Sequence, residues 1–366
     1  MFSIDPGRFS MKLIVRVVLA ACAAFLVTSC AQMGPAHLKA DQVDYARALG
    51  TAKKRAILDA MVQLRFADAP SFLTVSQIIA AYTFDASVGT TLNAGSGAQQ
   101  SYALANGSAS YSNHPTFTFT PTTGDAFATA YIRPLAPALV LPLAQGGIPI
   151  DLLLRISAQS IDGLRNGTAL GGSRSAGTPG FFQLIHAARR LQLAGELNVE
   201  LRNENGANHV FLVIAVSNDS HEPPSAAADR RLMRQLLHLP RDTGSFEVVY
   251  GQSAAPGRIA LMTRSVLGIL TDLGAQIDVP AASVASGATK ATVGLIGGET
   301  RPTIAVHSGP TAPADAYVAI PFENTAYWID SNDFDSKYAF TVVQDLMALA
   351  EADTSSKAPI VTIPAS

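Results

Sequence analysis

Apolar positions recur along this chain with two periods, three to four residues in some stretches and two in others, and the changes between them mark out the elements. Val43, Ala46, Leu49, Ile57, Leu58, Met61 and Leu64 follow the helical spacing, so the pattern predicts a helix from about Asp41 to Arg65. Lys53, Lys54 and Arg55 between them read as its solvated face. Ala69-Pro70 ends it, because a residue before proline is pushed away from helical backbone. Phe72 to Tyr82 is then an apolar, β-prone run. Between Thr83 and Pro121 the chain turns to Ser, Ala, Gly, Thr and Asn, with period-two patches such as Phe84, Ala86, Val88 and Thr116-Phe117-Thr118-Phe119. This predicts two long strands joined near Ala94 to Gln100. A ribbon so poor in bulky side chains cannot build its own core.

Further along, Thr123-Gly124-Asp125 opens a helix through Tyr131, and Ala136-Pro137 opens another ending at Gly146-Gly147. Pro149 to Leu154 reads as a further helical turn, Ile156 to Asn166 as a strand, and residues 167–177 as a Gly-rich linker. Thr178-Pro179 starts a helix to about Ala194. Leu197–Leu201 and His209–Val216 make a hairpin around Glu204-Asn205-Gly206. A helix from Ser225 carries Arg230, Arg231, Arg234 and His238 on its outer side and stops at Pro240. Ser245–Gln252 and Arg258–Thr263 are strands around Gly257, and Ser265–Leu273 is a helix. Ile304–Ser308, Tyr317–Pro321 and Thr325–Ile329 are strands, followed by a last amphipathic helix capped by Asp335 or Ser336. The fold class is α+β, with antiparallel hairpins, amphipathic helices and a long Ser/Ala/Gly-rich β-ribbon in the N-terminal half. The expected organisation is a helix-plus-ribbon region 41–166, the linker 167–177, an α+β domain 178–353 and a loose tail 354–366.

The N-terminus is organised differently. Lys12 and Arg16 precede the uncharged run Val17 to Val27, and Thr28 and Ser29 shrink the side chains before Cys30. A basic start, an apolar run and small residues before a cut are the parts of a secretory signal. The apolar run is shorter than the roughly 20 residues of a spanning helix. Met1 to Ser10, with Asp5, Pro6 and Gly7, does not suit the front of a signal, so the expected start is Met11 and the signal is the segment 1–29. Val27-Thr28-Ser29-Cys30 resembles the bacterial lipobox. The resemblance implies cleavage before Cys30, lipidation of that residue by a diacylglyceryl thioether and an N-acyl chain, and outer-membrane sorting with Ala31 next in line. More than one acyl chain suffices for stable attachment. Residues 30–40 would then be a short tether.

Composition narrows the classes. The chain has 366 residues, 26 basic and 28 acidic. Removing Arg8, Lys12, Arg16 and Asp5 with the signal leaves 23 and 27, which gives no basis for nucleic-acid binding. Cys22 lies in the signal and Cys30 at the cut, so the mature body has no pair of cysteines to join. With 48% apolar and 15% charged residues, the body can bury a sizeable core without them.

Candidate chemistry is sparse. Gly171 to Gly177 contains Ser173 and Ser175, but neither has glycine two residues away on both sides, so it is not a nucleophile elbow. There is no Ser-x-x-Lys pair. The seven histidines are scattered, and His221-Glu222 runs into two prolines rather than a helix with a second histidine. Asp330, Asp333 and Asp335 lack the glycine and distant glutamate of an EF-hand loop and read as a helix cap. Gly294 to Gly298 lacks a phosphate-loop lysine. Arg230, Arg231 and Arg234 are candidate contacts for an anionic partner, with a solvated helix face as the plainer reading. No catalytic residue, metal site or cofactor is expected.

Leu64 to Leu73, Pro115-Thr116-Phe117, Pro121 to Gly124, Gln159 to Asn166, Thr263-Arg264-Ser265, and Tyr327 to Asp330 with Ser336-Lys337 together resemble an uncharacterised family of proteobacterial lipoproteins. The resemblance covers nearly the whole mature chain and implies a lipoprotein, with no catalytic or ligand residues to carry over. The expected function is a non-enzymatic accessory or scaffold for an envelope assembly, anchored through Cys30 to the periplasmic face of the outer membrane, with other envelope proteins as partners. An envelope-polymer hydrolase is one alternative. The other is an oligomer formed by pairing through the 83–121 ribbon.

Overall fold

A computed structural model describes residues 43–354 except 80–81, 94–101, 114–115, 170–174, 205, 217–223, 293–294 and 296–298. The expected signal 1–29, the start at Met11, Cys30, the tether 30–40 and all but the first residue of the tail lie outside the described residues. The first helix, α1, covers residues 43–65. Its leading half is exposed, whereas Ile57, Leu58, Ala60, Met61 and Val62 are buried. They pack against α8 (Val266–Ala275), where the helices approach so closely that a Cβ on Gly274 would stand 2.6 Å from the Met61 carbonyl oxygen. Glycine is required there by contact rather than by backbone conformation. Phe66, just past α1, packs on Phe322 and Tyr327 at ring separations of 5.0 and 6.3 Å.

The body is built on a six-stranded sheet, in spatial order β6 (Leu164–Arg165), β5 (Ala158–Ile161), β10 (Arg258–Thr263), β9 (Ser245–Tyr250), β8 (Ala207–Ile214) and β7 (Leu197–Glu204). Along β8 the alternation predicted by period two is plain, since Val210, Leu212 and Ile214 are buried and the intervening residues are half-exposed. These buried residues face a layer that includes α5 (Ile150–Ser157), α6 (Pro179–Leu193) and α7 (Pro224–Leu236). Two expectations change here. Ile156 to Asn166 is not one strand: its first residues finish α5, and Asp162-Gly163, both at positive φ (44° and 77°), turn β5 back into β6. Gly and Asp tolerate that backbone, which makes the pair a tight hairpin turn.

The second correction concerns β9 and β10, which the sequence presents as a hairpin and which pair parallel, Arg258 opposite Glu247 and Leu261 opposite Tyr250. A six-residue strand is about 20 Å long. The connecting residues 251–257 can reach about 23–25 Å when extended, so they suffice to carry the chain back to the start of its neighbour without a crossover helix. The sheet is therefore mixed, and the α+β class stands.

Residues 167–177, expected to link two domains, are flanked by parts of this one sheet. Strand β5 on one side of them pairs with β10 on the other, and Thr178 donates its amide to the Arg165 carbonyl at 2.8 Å. A Cβ on Gly177 would stand 2.6 Å from the Gly167 amide nitrogen, so the two ends of the segment touch. The Thr178 hydroxyl accepts from the Arg165 amide at 3.1 Å instead of capping α6.

A second sheet of three antiparallel strands, in order β11 (His307–Gly309), β13 (Thr325–Ile329) and β12 (Val318–Phe322), packs with α10 (Phe334–Thr354); the sequence pattern predicts these strands and the helix, with the first strand earlier, at Ile304–Ser308. The cap of α10 is Asp333 rather than Asp335 or Ser336. Its Oδ1 accepts from the Ser336 amide at 3.1 Å, while Ser336 donates its hydroxyl to Asp333 Oδ2 at 2.6 Å. Arg301 adds ion pairs to Asp333 and Asp335. Burial alone would raise the Asp333 carboxyl, but Arg301 and Ser336 outweigh it and hold the carboxyl down at about 2.

Candidate functional site

The N-terminal half carries the ribbon in four pieces, β1 (Leu73–Ile79), β2 (Tyr82–Asn93), β3 (Tyr102–Asn113) and β4 (Thr116–Pro121). Strand β1 pairs with β4 and β2 with β3, both antiparallel. Ile79 faces Thr116, and Tyr82 faces Asn113, three residues on along one strand and three back along the other. The two ladders therefore share one register, and the strands begin at Leu73 rather than Thr83. A single irregularity between Val75 and Gln77 shifts the register near its base. At about 3.3 Å per residue, β2 and β3 alone are about 40 Å long.

Both ends of the ribbon are rooted in the core. Phe72, buried, stacks on Tyr131 with ring centroids 3.9 Å apart and touches Phe127 at 6.1 Å. The Thr122 amide donates to the Phe72 carbonyl at 3.0 Å. Tyr131 sits in a π-helical turn, Ala128–Ile132, which continues α2 (Gly124–Phe127), and its hydroxyl donates to Glu351 of α10 at 2.7 Å. Burial, then Glu351, drives that hydroxyl far above the usual tyrosine range, so it stays a donor.

Beyond the root the ribbon has a sharp pleat. Thr83, Asp85, Ser87, Gly89 and Thr91 are exposed on one face, and across from them Ser108 and Ser110 are exposed too. Hydroxyls pair across this face, Thr83 with Ser112 and Ser87 with Ser108, each at 2.7 Å. The β2–β3 ladder is a two-stranded sheet, so each strand has an outer edge with no partner strand among the described residues. From Leu73 to Pro121 the sequence holds one acidic residue, Asp85, and no Lys, Arg or Glu. Edge strands in water are ordinarily guarded by such charges. On these edges Asp85 is the single such charge.

The body offers a different candidate, a cleft of about 580 Å³ whose lining includes Gln159, Arg165, Tyr250, Gln252 and Arg264. Beneath it lies a buried polar network. Arg264 donates to Asp272 at 3.1 Å and to the carbonyls of Ile156 and Gly167 at 3.2 and 2.7 Å. Asp272 Oδ1 accepts from the Thr168 hydroxyl and the Ala169 amide, both at 2.8 Å. Arg155 donates to Asn166 at 3.2 Å, and Asn166 returns its amide to the Arg155 and Ala158 carbonyls. Burial pulls both guanidiniums below their ordinary range, and the Asp272 carboxylate pushes back. The network joins α5, the 166–169 turn, β10 and α8. Asn166, Thr168, Arg264 and Asp272 of this network also line the cleft, and their polar groups bond one another and nearby carbonyls, which gives them a structural role.

The arginines predicted to grip an anion do not form one face. Arg230 is buried and paired with Glu196, and Arg234 donates to the carbonyls of Pro240, Arg241 and Thr243, closing the loop after α7. Arg231 is exposed and donates to Ala227 of its own helix. Sequence reasoning placed all three on the outer side because helical spacing alone does not show Glu196 waiting across the fold. Cys30 lies outside the described residues. His209 pairs with Glu247 at 2.7 Å across β8 and β9, and His307 with Asp330 at 3.2 Å. Among the described residues no group of three or more His, Cys, Asp and Glu could hold a metal ion, and no helix is long and apolar enough to cross a membrane. The chain matches no protein-family model, no curated protein and no solved structure.

Proposed function

We propose that this protein is a lipid-anchored outer-membrane lipoprotein facing the periplasm, and that it acts as a non-enzymatic scaffold by pairing its ribbon with the ribbons of other copies. The observation that carries this reading is the ribbon's two open edges, charged at Asp85 alone, above a well-rooted base. Unpaired backbone donors and acceptors along a strand are a template for another strand. The outer edges of β2 and β3 run in opposite directions, so β2 of one copy can continue the sheet of the next antiparallel. Repeated head to tail, this contact closes a ring when the rotation permits. The lipobox at Val27–Cys30 supplies the anchor.

Chemical crosslinking in intact cells tests assembly. The expected result is a ladder at multiples of the chain mass, lost when residues 80–115 are replaced by a short Gly-Ser turn between Ile79 and Thr116, with the melting temperature of the body unchanged. A chain that stays monomeric with its ribbon intact overturns the reading. Anchoring is tested by Cys30→Ser, which should abolish labelling by a palmitate analogue and release the protein from membranes. Retention of both would show that Cys30 is not the anchor.

A further inference from the structure

The register of β2 and β3 separates residues that look mixed in the linear sequence, where the polarity of Asn93 to Asn113 speaks against contact with lipid. Asn106, Ser108, Ser110 and Ser112 fall on the same face as Thr83, Asp85, Ser87 and Thr91. The pleat places Tyr82, Phe84, Ala86, Val88 and Leu92 on the opposite face, and opposite them in register Ala103, Ala105, Gly107, Ala109 and Tyr111. Thr90 and, opposite Tyr82, Asn113 are the polar exceptions on that face, while Leu104 and Tyr102 fall on the polar one. Each strand has 12 residues, and a strand crossing a bilayer needs about 9–11 at a tilt of about 45°. Phe84 faces Tyr111 at the end of this span nearer the body, where outer-membrane barrels carry an aromatic girdle. The connecting residues 94–101, Ala-Gly-Ser-Gly-Ala-Gln-Gln-Ser, are uncharged and, but for Gln99 and Gln100, small.

We infer that the β2–β3 hairpin is a membrane-spanning segment, two strands of a transmembrane β-barrel completed by the same hairpin from other copies, with the Tyr82–Leu92 face toward lipid and the Thr83–Thr91 face toward a water-filled lumen. This rests on the assembly reading above and goes beyond it by assigning the bilayer as the environment of the apolar face. Three observations converge. The strand length fits the span, and one face of each strand is apolar or small apart from Thr90 and Asn113. Apart from Asp85 the open edges carry no charged side chain, which suits backbone groups that pair between copies inside a bilayer, where an unsatisfied amide costs several kcal/mol. The single carboxylate, Asp85, falls on the polar face, so the barrel would carry one ring of carboxylates in its lumen. Such a ring selects for cations.

The mature chain has no cysteine besides the lipidated Cys30, which makes single-cysteine scanning clean. The full-length lipidated protein, reconstituted in phosphatidylethanolamine–phosphatidylglycerol vesicles, is labelled with an environment-sensitive fluorophore at Asp85→Cys, Ala86→Cys, Ser87→Cys, Val88→Cys, Gly89→Cys and Thr91→Cys. The expected result is alternation: nitroxide lipids quench positions 86 and 88, while positions 85, 87, 89 and 91 react with a membrane-impermeant thiol reagent and escape quenching. In planar bilayers the unmodified protein should conduct with cations preferred over anions, and Asp85→Asn should lower that preference several-fold while leaving conductance. Uniform water accessibility at all six positions, in protein that still crosslinks into multimers, overturns membrane insertion and leaves assembly standing. Protein that is monomeric in the vesicles overturns both.

Discussion

The buried Arg155–Asn166–Arg264–Asp272 network and the β2–β3 ribbon use their polar groups in opposite ways. In the network, two guanidiniums, a carboxylate and an amide are withdrawn from water and bonded to one another and to carbonyls of α5, β5 and the turn after β6. Such a network resists the loss of any member, because each leaves a buried partner unsatisfied. In the ribbon, polar side chains are exposed and pair only across the two strands, while both backbone edges stay open. The body spends its hydrogen-bonding capacity on itself, and the ribbon keeps its capacity for something outside. Charge alone does not mark a functional site in this chain. The buried charges hold the fold, and the nearly uncharged segment has the open valences.

The largest expected effect breaks the network side. Asp272→Asn removes the carboxylate shared by two buried arginines and should cost about 3–5 kcal/mol, seen as a large drop in the denaturant midpoint. A change within about 1 kcal/mol would mean that the guanidiniums are satisfied by their carbonyl partners alone. Next comes the joint between the two regions. Phe72→Ala empties the stack on Tyr131 and should cost about 3 kcal/mol, with faster proteolysis at the ribbon's root. If the body loses no stability, the ribbon is hung on it rather than rooted in it.

A third test follows acid. Asp333 titrates lower in the folded state than in the unfolded chain, so its contribution is complete above the usual carboxylate value of 3.8 and is lost as pH falls from there through about 2. Arg301 is partly exposed, which limits the contribution to about 1–2 kcal/mol after screening. Acid titration of Asp333→Asn beside the parent should show their stability curves converging below about pH 2. The smallest effect belongs to the ribbon: Ser87→Ala removes one exposed cross-strand hydroxyl pair and should change stability by less than about 0.5 kcal/mol. A cost of 1 kcal/mol or more would show that this face is not simply hydrated.

Much of the fold is legible in the sequence because its signals are local. The period of Ile57, Leu58, Met61 and Val62, the proline that opens α6, and the Asn-Gly turn between β7 and β8 each specify an element through neighbouring residues. What the sequence conceals is set by partners far away in the chain. The parallel pairing of β9 and β10 depends on the whole sheet, and Arg230 looks solvent-facing until Glu196 is placed beside it. The ribbon falls between these cases. Its strands are visible from period two, but the separation of a polar from an apolar face needs the pairing register, which a run of Ser, Ala and Gly does not specify by itself.

The shared register of the ribbon and the long reach of β5 also set an order of events as the chain folds. Closing β2 onto β3 requires a loop of only residues 94–101, whereas β5 finds β10 with Ile161 opposite Leu261, a hundred positions later. The entropic difference between two such closures is about 2 kcal/mol, and hairpins form within about 1–10 μs. The ribbon therefore zips while the sheet that will root it is still incomplete. During that interval its open edges are available to other strands nearby, which makes early pairing a route to off-pathway association.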